Sequence, residues 1–284
     1  MAPEAPYPQS INDCYKATLN VIQNAKELGV DIERLVIAGD SAGGNAVAVI
    51  TQKLLDEKQK MPKLQVLIYP WTQMINYRLP SYNMYKNVSF LNGMGCDFRK
   101  IISWYMGIYE NDKGYLELLE SLENHHHLLL VEDKKLLEKY KSYLDPQKIP
   151  SEFKSGKIYY KNYESTESAV YPISKLEKTS ILLRDSNINK QIKKLFNQDA
   201  SPLLADRKHL VGLPKAYFII FEWDELKDEG ILYAQRLKEA MVDVKINFVE
   251  NAFHGMAALT HKISGFESAR KIQKDLIEYM KLNV

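Results

Sequence analysis

The sequence is poor in cysteine, in long apolar runs and in unbalanced charge, and each shortage excludes a class of protein. Its two cysteines, Cys14 and Cys96, stand alone without C-x-x-C spacing, so neither a zinc site nor a disulfide framework follows. The longest unbroken apolar stretch is Ala216 to Phe221, whereas a bilayer-spanning helix takes about 20 residues, so this chain carries no transmembrane segment. Met1-Ala-Pro-Glu-Ala-Pro6 has neither the basic flank nor the apolar centre of a signal peptide. Lys and Arg number 38 against 36 Asp and Glu, without the cationic excess that coats nucleic acid, so no nucleic-acid partner is expected. There is no internal repeat. What remains, 45% apolar and 26% charged over 284 residues, is the composition of a globular protein.

Helical and strand patterns alternate at both ends of the chain. Ile11, Tyr15, Thr18, Leu19 and Ile22 recur at helical spacing, and the helix runs out near Gly29. Arg34-Leu-Val-Ile-Ala-Gly39 reads as a strand, residues 42–55 as a helix, and Leu64-Gln-Val-Leu-Ile-Tyr69 as a strand stopped by Pro70. Lys215 to Phe221 predicts a strand buried on both faces. A helix over 228–240, a strand over 244–249 and an amphipathic helix over about 266–282 follow. This order predicts an α/β fold with a mostly parallel sheet flanked by helices. Residues 76–205 break the pattern with Lys, Tyr, Glu and Leu and few clean strands. We read 1–75 and 206–284 as two parts of one core and 76–205 as a cap inserted over the sheet. For 110–165 the alternative is a disordered insert.

Gly39-Asp-Ser-Ala-Gly43, extended by Gly44, fits G-x-S-x-G between an apolar strand and a helix, where a nucleophile elbow belongs. A sharp turn puts the serine in strained backbone and crowds the positions two residues to either side, hence the glycines. Ser41 then stands at a helix N-terminus that favours negative charge, and the N–H of Ala42 is the candidate oxyanion donor. The competing reading is that Ser41 merely caps the helix.

A serine hydroxyl needs a base, and histidine is the usual one. His125, His126 and His127 form a run in the proposed cap that reads as a solvated face. His209 precedes the third strand. In a Ser, acid, His order the choice falls between His254, one short loop after the strand 244–249, and His261, in a stretch readable as helix. His254 lies at the sheet edge where catalytic loops gather and is preferred. Among the carboxylates after Phe221, Asp224 is nearest the strand end in a turn-forming position, so it is the candidate to orient the imidazole. Glu222 is the alternative acid. Asp228 is expected to cap the helix 228–240, with Glu229 in its first turn.

Gly39-Asp-Ser-Ala-Gly-Gly44, Tyr69-Pro-Trp71, Ser201-Pro-Leu-Leu204, Asp224-Glu-Leu-Lys-Asp-Glu-Gly230 and Phe253-His-Gly255 together resemble the hormone-sensitive-lipase group of α/β-hydrolases. Leu79-Pro-Ser-Tyr82 and Ala200-Ser-Pro-Leu-Leu-Ala-Asp206 are similar to its arylacetamide deacetylase and neutral cholesterol ester hydrolase branch. The resemblance covers nearly the whole chain and is weakest over 110–195. It implies the α/β-hydrolase fold and hydrolysis of esters, in some members amides, of lipophilic acyl compounds, without cofactor or metal. Nucleophile, acid and base fall on Ser41, Asp224 and His254. It further implies a membrane-anchored full-length protein facing the lumen of the endoplasmic reticulum. Asn87-Val-Ser89 is a glycosylation sequon compatible with that address.

One motif of the resembled group has no counterpart: the His-Gly-Gly-Gly loop that supplies further oxyanion N–H groups. Met1-Ala-Pro-Glu4 resembles the end of the family's Tyr-Arg-Leu-Ala-Pro-Glu segment, so the expectation is a truncated chain lacking the first strands, with Leu35-Val-Ile-Ala38 left at an apolar sheet edge. The loss of one oxyanion donor costs on the order of 100- to 1,000-fold in turnover. Two rival readings therefore accompany the esterase: a catalytically impaired fragment, and a hydrolase fold that binds small molecules without turning them over.

Overall fold

The computed structural model describes residues 2–86, 97–154 and 186–284; the sequon at Asn87 and Cys96 lie outside them. Helix α1 (Gln9–Gln23) turns Ile11 and Tyr15 inward. Tyr15 packs with Ile50 and Leu54 of α2 (Ala42–Asp56), and Leu19 and Ile22 lie against the same cluster. The strand expected from Arg34 begins two residues later. Asp31 accepts from the N–H of Glu33 at 3.0 Å and sets a 3₁₀ turn over Ile32–Arg34, after which β1 runs Val36–Asp40.

Strands β1, β2 (Leu64–Ile68), β3 (Lys215–Trp223) and β4 (Val244–Phe253) pair in parallel in that order. Among the described residues β1 is one edge of this sheet and β4 the other. Strand β3 is buried on both faces from Ala216 to Phe221, as its uninterrupted apolar run predicts. Alternation sends Phe218 and Ile220 into the cluster holding Tyr233, Ala234 and Leu237 of α8 (Lys227–Glu239). Tyr217, Ile219 and Phe221 join Ala269 and Ile272 of α9 (Glu267–Asn283) in a second cluster, where the Tyr217 and Tyr279 rings stack at 3.9 Å. Burying one such side chain stabilises the fold by roughly 1.5–3 kcal/mol.

Strand β4 continues past the loop expected at Glu250. Asn251 takes a left-handed φ of 56°, its N–H donates to Glu222 Oε2 at 3.0 Å, and the register shifts so that Trp223 faces Phe253. This irregularity carries the strand up to the residue before His254.

The segment 76–205 contributes α3 (Pro80–Tyr85), α4 (Phe98–Tyr105), α5 (Tyr115–Glu123), α6 (Lys134–Tyr143) and α7 (Ser186–Lys193). Within 110–154 the chain is helical, with Tyr115, Leu118, Leu122, Leu137 and Tyr140 in the same apolar cluster as Phe218. The histidine run there is not a solvated face. His125, at a left-handed φ of 59°, turns its ring inward, and its Nε2 accepts the N–H of Tyr77 at 3.0 Å. His127 is fully buried, with Nε2 2.8 Å from the Ile75 carbonyl and Nδ1 3.2 Å from that of Ser121. Burial lowers its pKa to about 4, despite those two carbonyls.

Candidate active site

The turn from β1 into α2 places Ser41 at φ 53°, ψ −117°, a conformation that L-residues avoid. Main-chain bonds fix it there. Its N–H donates to the Ile68 carbonyl at 2.9 Å, and its own carbonyl accepts from Asn45 and Trp71, each at 3.1 Å. A Cβ on Gly39 would lie 2.3 Å from the Gly43 carbonyl oxygen, and one on Gly44 2.7 Å from Pro70. The second crowded position is therefore Gly44. At Gly43 a Cβ would meet only the Asp40 carboxyl oxygen at 3.9 Å, an ordinary contact. Ser41 occupies the N-cap position but makes no capping bond with its side chain. Its Oγ lies 2.9 Å from His254 Nε2 instead. Ala42 is exposed as the first residue of α2, where a helix N–H has no partner within the helix.

His254 follows β4 directly, and Gly255, at φ 84°, turns the chain away behind it. Its Nδ1 lies 2.9 Å from Asp224 Oδ2, while Asp224 Oδ1 accepts the N–H of Leu226 at 2.8 Å. With Nδ1 donating to the carboxylate, Nε2 is left to accept from the Ser41 hydroxyl. Burial, the largest influence on His254, opposes its protonation. The charge and hydrogen bond of Asp224, helped by Glu225 and Asp40, outweigh it and raise the imidazole pKa above the ordinary value. Tyr69 closes one side of the ring at 4.8 Å and donates its hydroxyl to Asp40 Oδ2 at 3.2 Å. Phe98 stands edge-on to His254 at 6.1 Å and to Trp71 at 4.9 Å.

The other candidates fall elsewhere. Glu222 receives the Asn251 N–H and takes no part in the contact with His254. His261 lies in a turn rather than a helix and holds that turn together. His209 pairs with Asp56 at 2.7 Å. Asp228 does not cap α8, whose N-cap is Leu226; it is buried and its Oδ2 accepts the Ser81 N–H at 2.8 Å. Glu229 is in the first turn as expected but is buried. It accepts from the N–H groups of Thr72 at 2.5 Å and Gln73 at 3.2 Å and from the Gln73 amide at 2.7 Å. These partners are about 150 residues away in sequence, which local periodicity does not register. Asn45 is a further structural member the sequence reading missed: its amide donates to the carbonyls of Trp71 at 2.8 Å and Ala200 at 2.9 Å, tying the start of α2 to the end of the 76–205 segment. Glu225 is another. Burial first, then the neighbouring Asp224 charge, raises its pKa to about 8. Among the described residues no group of three or more His, Cys, Asp or Glu is placed to hold a metal ion, and no helix is long and apolar enough to cross a membrane.

A strained serine at a strand-to-helix turn, with an imidazole and a carboxylate at the same end of a parallel sheet, is the arrangement of the α/β-hydrolase fold. The chain belongs to the alpha/beta hydrolase fold family, whose profile it matches over residues 1–129 and 160–258. Among curated relatives, rabbit (Oryctolagus cuniculus) arylacetamide deacetylase is 32% identical over 291 residues, covering 100% of this chain and 64% of its own length. Mouse (Mus musculus) arylacetamide deacetylase-like 4 family member 1 is 30% identical over 279 residues, covering 97% and 61%. Rat (Rattus norvegicus) neutral cholesterol ester hydrolase 1 is 28% identical over 289 residues, covering 100% and 64%. The chain thus spans somewhat under two thirds of these relatives. Carboxyl esterase 2 of the fungus Tuber melanosporum superposes with a TM-score of 0.60 at 18% identity, covering 100% of this chain and 65% of that one. A Rhizomucor miehei esterase gives 0.62 at 23%, covering 100% and 61%. Both share the fold.

Proposed function

We propose that this chain carries the catalytic triad of a serine hydrolase acting on carboxylic esters, and by extension amides, of lipophilic acyl compounds. The observation that supports it is the unbroken contact from Ser41 Oγ to His254 Nε2 and from His254 Nδ1 to Asp224 Oδ2, each 2.9 Å. Ser41 attacks the acyl carbonyl while His254 removes its proton and then delivers it to the leaving alcohol. Asp224 holds the Nδ1–H tautomer and stabilises the imidazolium. The Ala42 N–H donates to the tetrahedral oxyanion. Water, deprotonated by His254, then releases the acid. The names of the relatives, arylacetamide deacetylase and neutral cholesterol ester hydrolase, favour an apolar acyl or aryl group, and Trp71 and Phe98 offer the aromatic walls for it.

The test is labelling of the purified chain by a fluorophosphonate, which modifies an activated serine, beside turnover of p-nitrophenyl butyrate. Labelling lost in Ser41→Ala and His254→Ala is expected; equal labelling of His254→Ala and the parent overturns the triad. Labelling with negligible turnover favours the impaired-fragment reading, because the Ala42 N–H then acts without the glycine-loop donors of the resembled family.

A further inference from the structure

Beyond His254 the chain makes a 3₁₀ turn over Met256–Ala258 and then a tight loop, 259–266, before α9. The loop is held closed by its own polar groups. Phe266 N–H donates to the Leu259 carbonyl at 2.9 Å, and Gly265 N–H donates to that of His261 at 2.8 Å. The Arg270 guanidinium adds a bond to the same His261 carbonyl at 3.2 Å. His261 Nδ1 lies 3.1 Å from the Ser264 hydroxyl. A Cβ on Gly265 would come within 2.4 to 2.6 Å of the backbone of Leu259 and His261. This is a built loop, and it is built to face its apolar side chains outward. Ile263 is 91% exposed, Leu259 42% and Phe266 40%. Single exposed apolar residues are ordinary, but three within eight positions on one braced turn form a patch.

The patch has a charge and a place. Residues 259–274 carry Lys262, Arg270, Lys271 and Lys274 against the single carboxylate of Glu267. Lys271 and Lys274 reach Asp275 at 2.7 Å and Glu278 at 4.0 Å, but these are exposed pairs that hold a lysine weakly. Phe266 packs edge-on against Phe253 at 5.6 Å, and Phe253 precedes His254, so the patch borders the end of the sheet where the triad lies.

We propose that the loop 259–266, with the basic first turns of α9, is a peripheral docking surface for an anionic lipid membrane. Ile263 enters the boundary between headgroups and acyl chains, flanked by Leu259 and Phe266, and the lysines around it face lipid phosphates. A second copy of the chain fits this surface poorly, because a two-fold contact would set the same cations against each other. The proposal rests on the surface alone and is independent of the hydrolase reading, since binding is measured whether or not the chain turns over an ester.

The experiment is co-sedimentation of the purified 284-residue chain with vesicles of phosphatidylcholine alone and of phosphatidylcholine mixed with phosphatidylserine. Binding to the mixed vesicles that weakens with salt is expected, together with a loss of about tenfold in Ile263→Ser and of about tenfold in Lys262→Glu. Circular dichroism and thermal melting of both variants verify that they fold as the parent does. No binding to mixed vesicles, or equal binding by parent and Ile263→Ser, overturns the proposal. So does a parent that self-associates on size exclusion and binds no vesicles, with Ile263→Ser monomeric, which would assign the patch to a second copy.

Discussion

His254 and His127 are both buried imidazoles, one at the rim of the sheet and one in the helical segment beside it, and they titrate in opposite directions. Burial disfavours the charged form in both. What separates them is a formal charge: His254 faces Asp224 at 2.9 Å, whereas His127 faces two neutral carbonyls. Carbonyl dipoles orient the His127 ring without offsetting its lost hydration, so that ring serves as a structural tie. A carboxylate in the same position turns a buried imidazole into a group able to accept a proton.

The sharpest test of that contrast removes each ring or its partner. His254→Ala or Asp224→Asn is expected to slow fluorophosphonate labelling by on the order of 10⁴-fold, with His127→Asn labelling at the parental rate. A parental rate in Asp224→Asn would sever the link between carboxylate and reactivity.

The pH dependence of stability should diverge in the same way. His127 has a folded-state pKa below its ordinary 6.5, so its contribution is present above about 6.5 and is lost as pH falls toward about 4. Its full extent is on the order of 3 kcal/mol. Urea unfolding between pH 7 and 5 should show stability falling in the parent and falling less steeply in His127→Asn. His254 has a raised pKa, so its contribution is complete below the ordinary value and fades as pH rises through the folded value. His254→Ala should therefore flatten the alkaline side of the stability profile.

The elbow offers a third comparison of near-identical residues. Gly44→Ala is expected to destabilise the fold by about 1–3 kcal/mol through its clash with Pro70, whereas Gly43→Ala should be neutral or slightly stabilising inside α2. Equal melting temperatures for the two variants would contradict the difference in crowding. The smallest effect is expected for Glu222→Gln, which should label within about twofold of the parent, as a surface substitution outside the triad; a loss comparable to that of Asp224→Asn would reassign the acid.

The meeting of Ser41, His254 and Asp224 was legible because each sits where a local pattern ends. Ser41 follows an apolar strand and precedes a helix, and Asp224 and His254 come directly after strands. The uninterrupted apolar run of β3 likewise announced its two buried faces. The fate of the neighbouring carboxylates was hidden. Asp228 and Glu229 look like ordinary first-turn acids, and only the arrival of Ser81, Thr72 and Gln73 from far along the chain makes them internal braces. The histidine run misled for a similar reason: three polar residues in a row suggest solvent, but the backbone twist at His125 rotates alternate rings inward. The elbow motif named Gly43 as the second tight position because it counts residues, whereas the collision is with Pro70, which the motif does not contain.

The Trp71 N–H holds the Ser41 carbonyl, the next residue's N–H holds Glu229, and α8 carries Glu229 a short way beyond Asp224. Ser41 and Asp224 are thereby set on one continuous chassis that bypasses His254. His254 hangs from its own strand end, one residue before the left-handed Gly255, so its place is set by β4 and by the Asp224 carboxylate rather than by that run of bonds. A shift of β4 would therefore move the imidazole alone, whereas a shift of the 71–73 segment would be felt by Ser41 and by the helix behind Asp224 together.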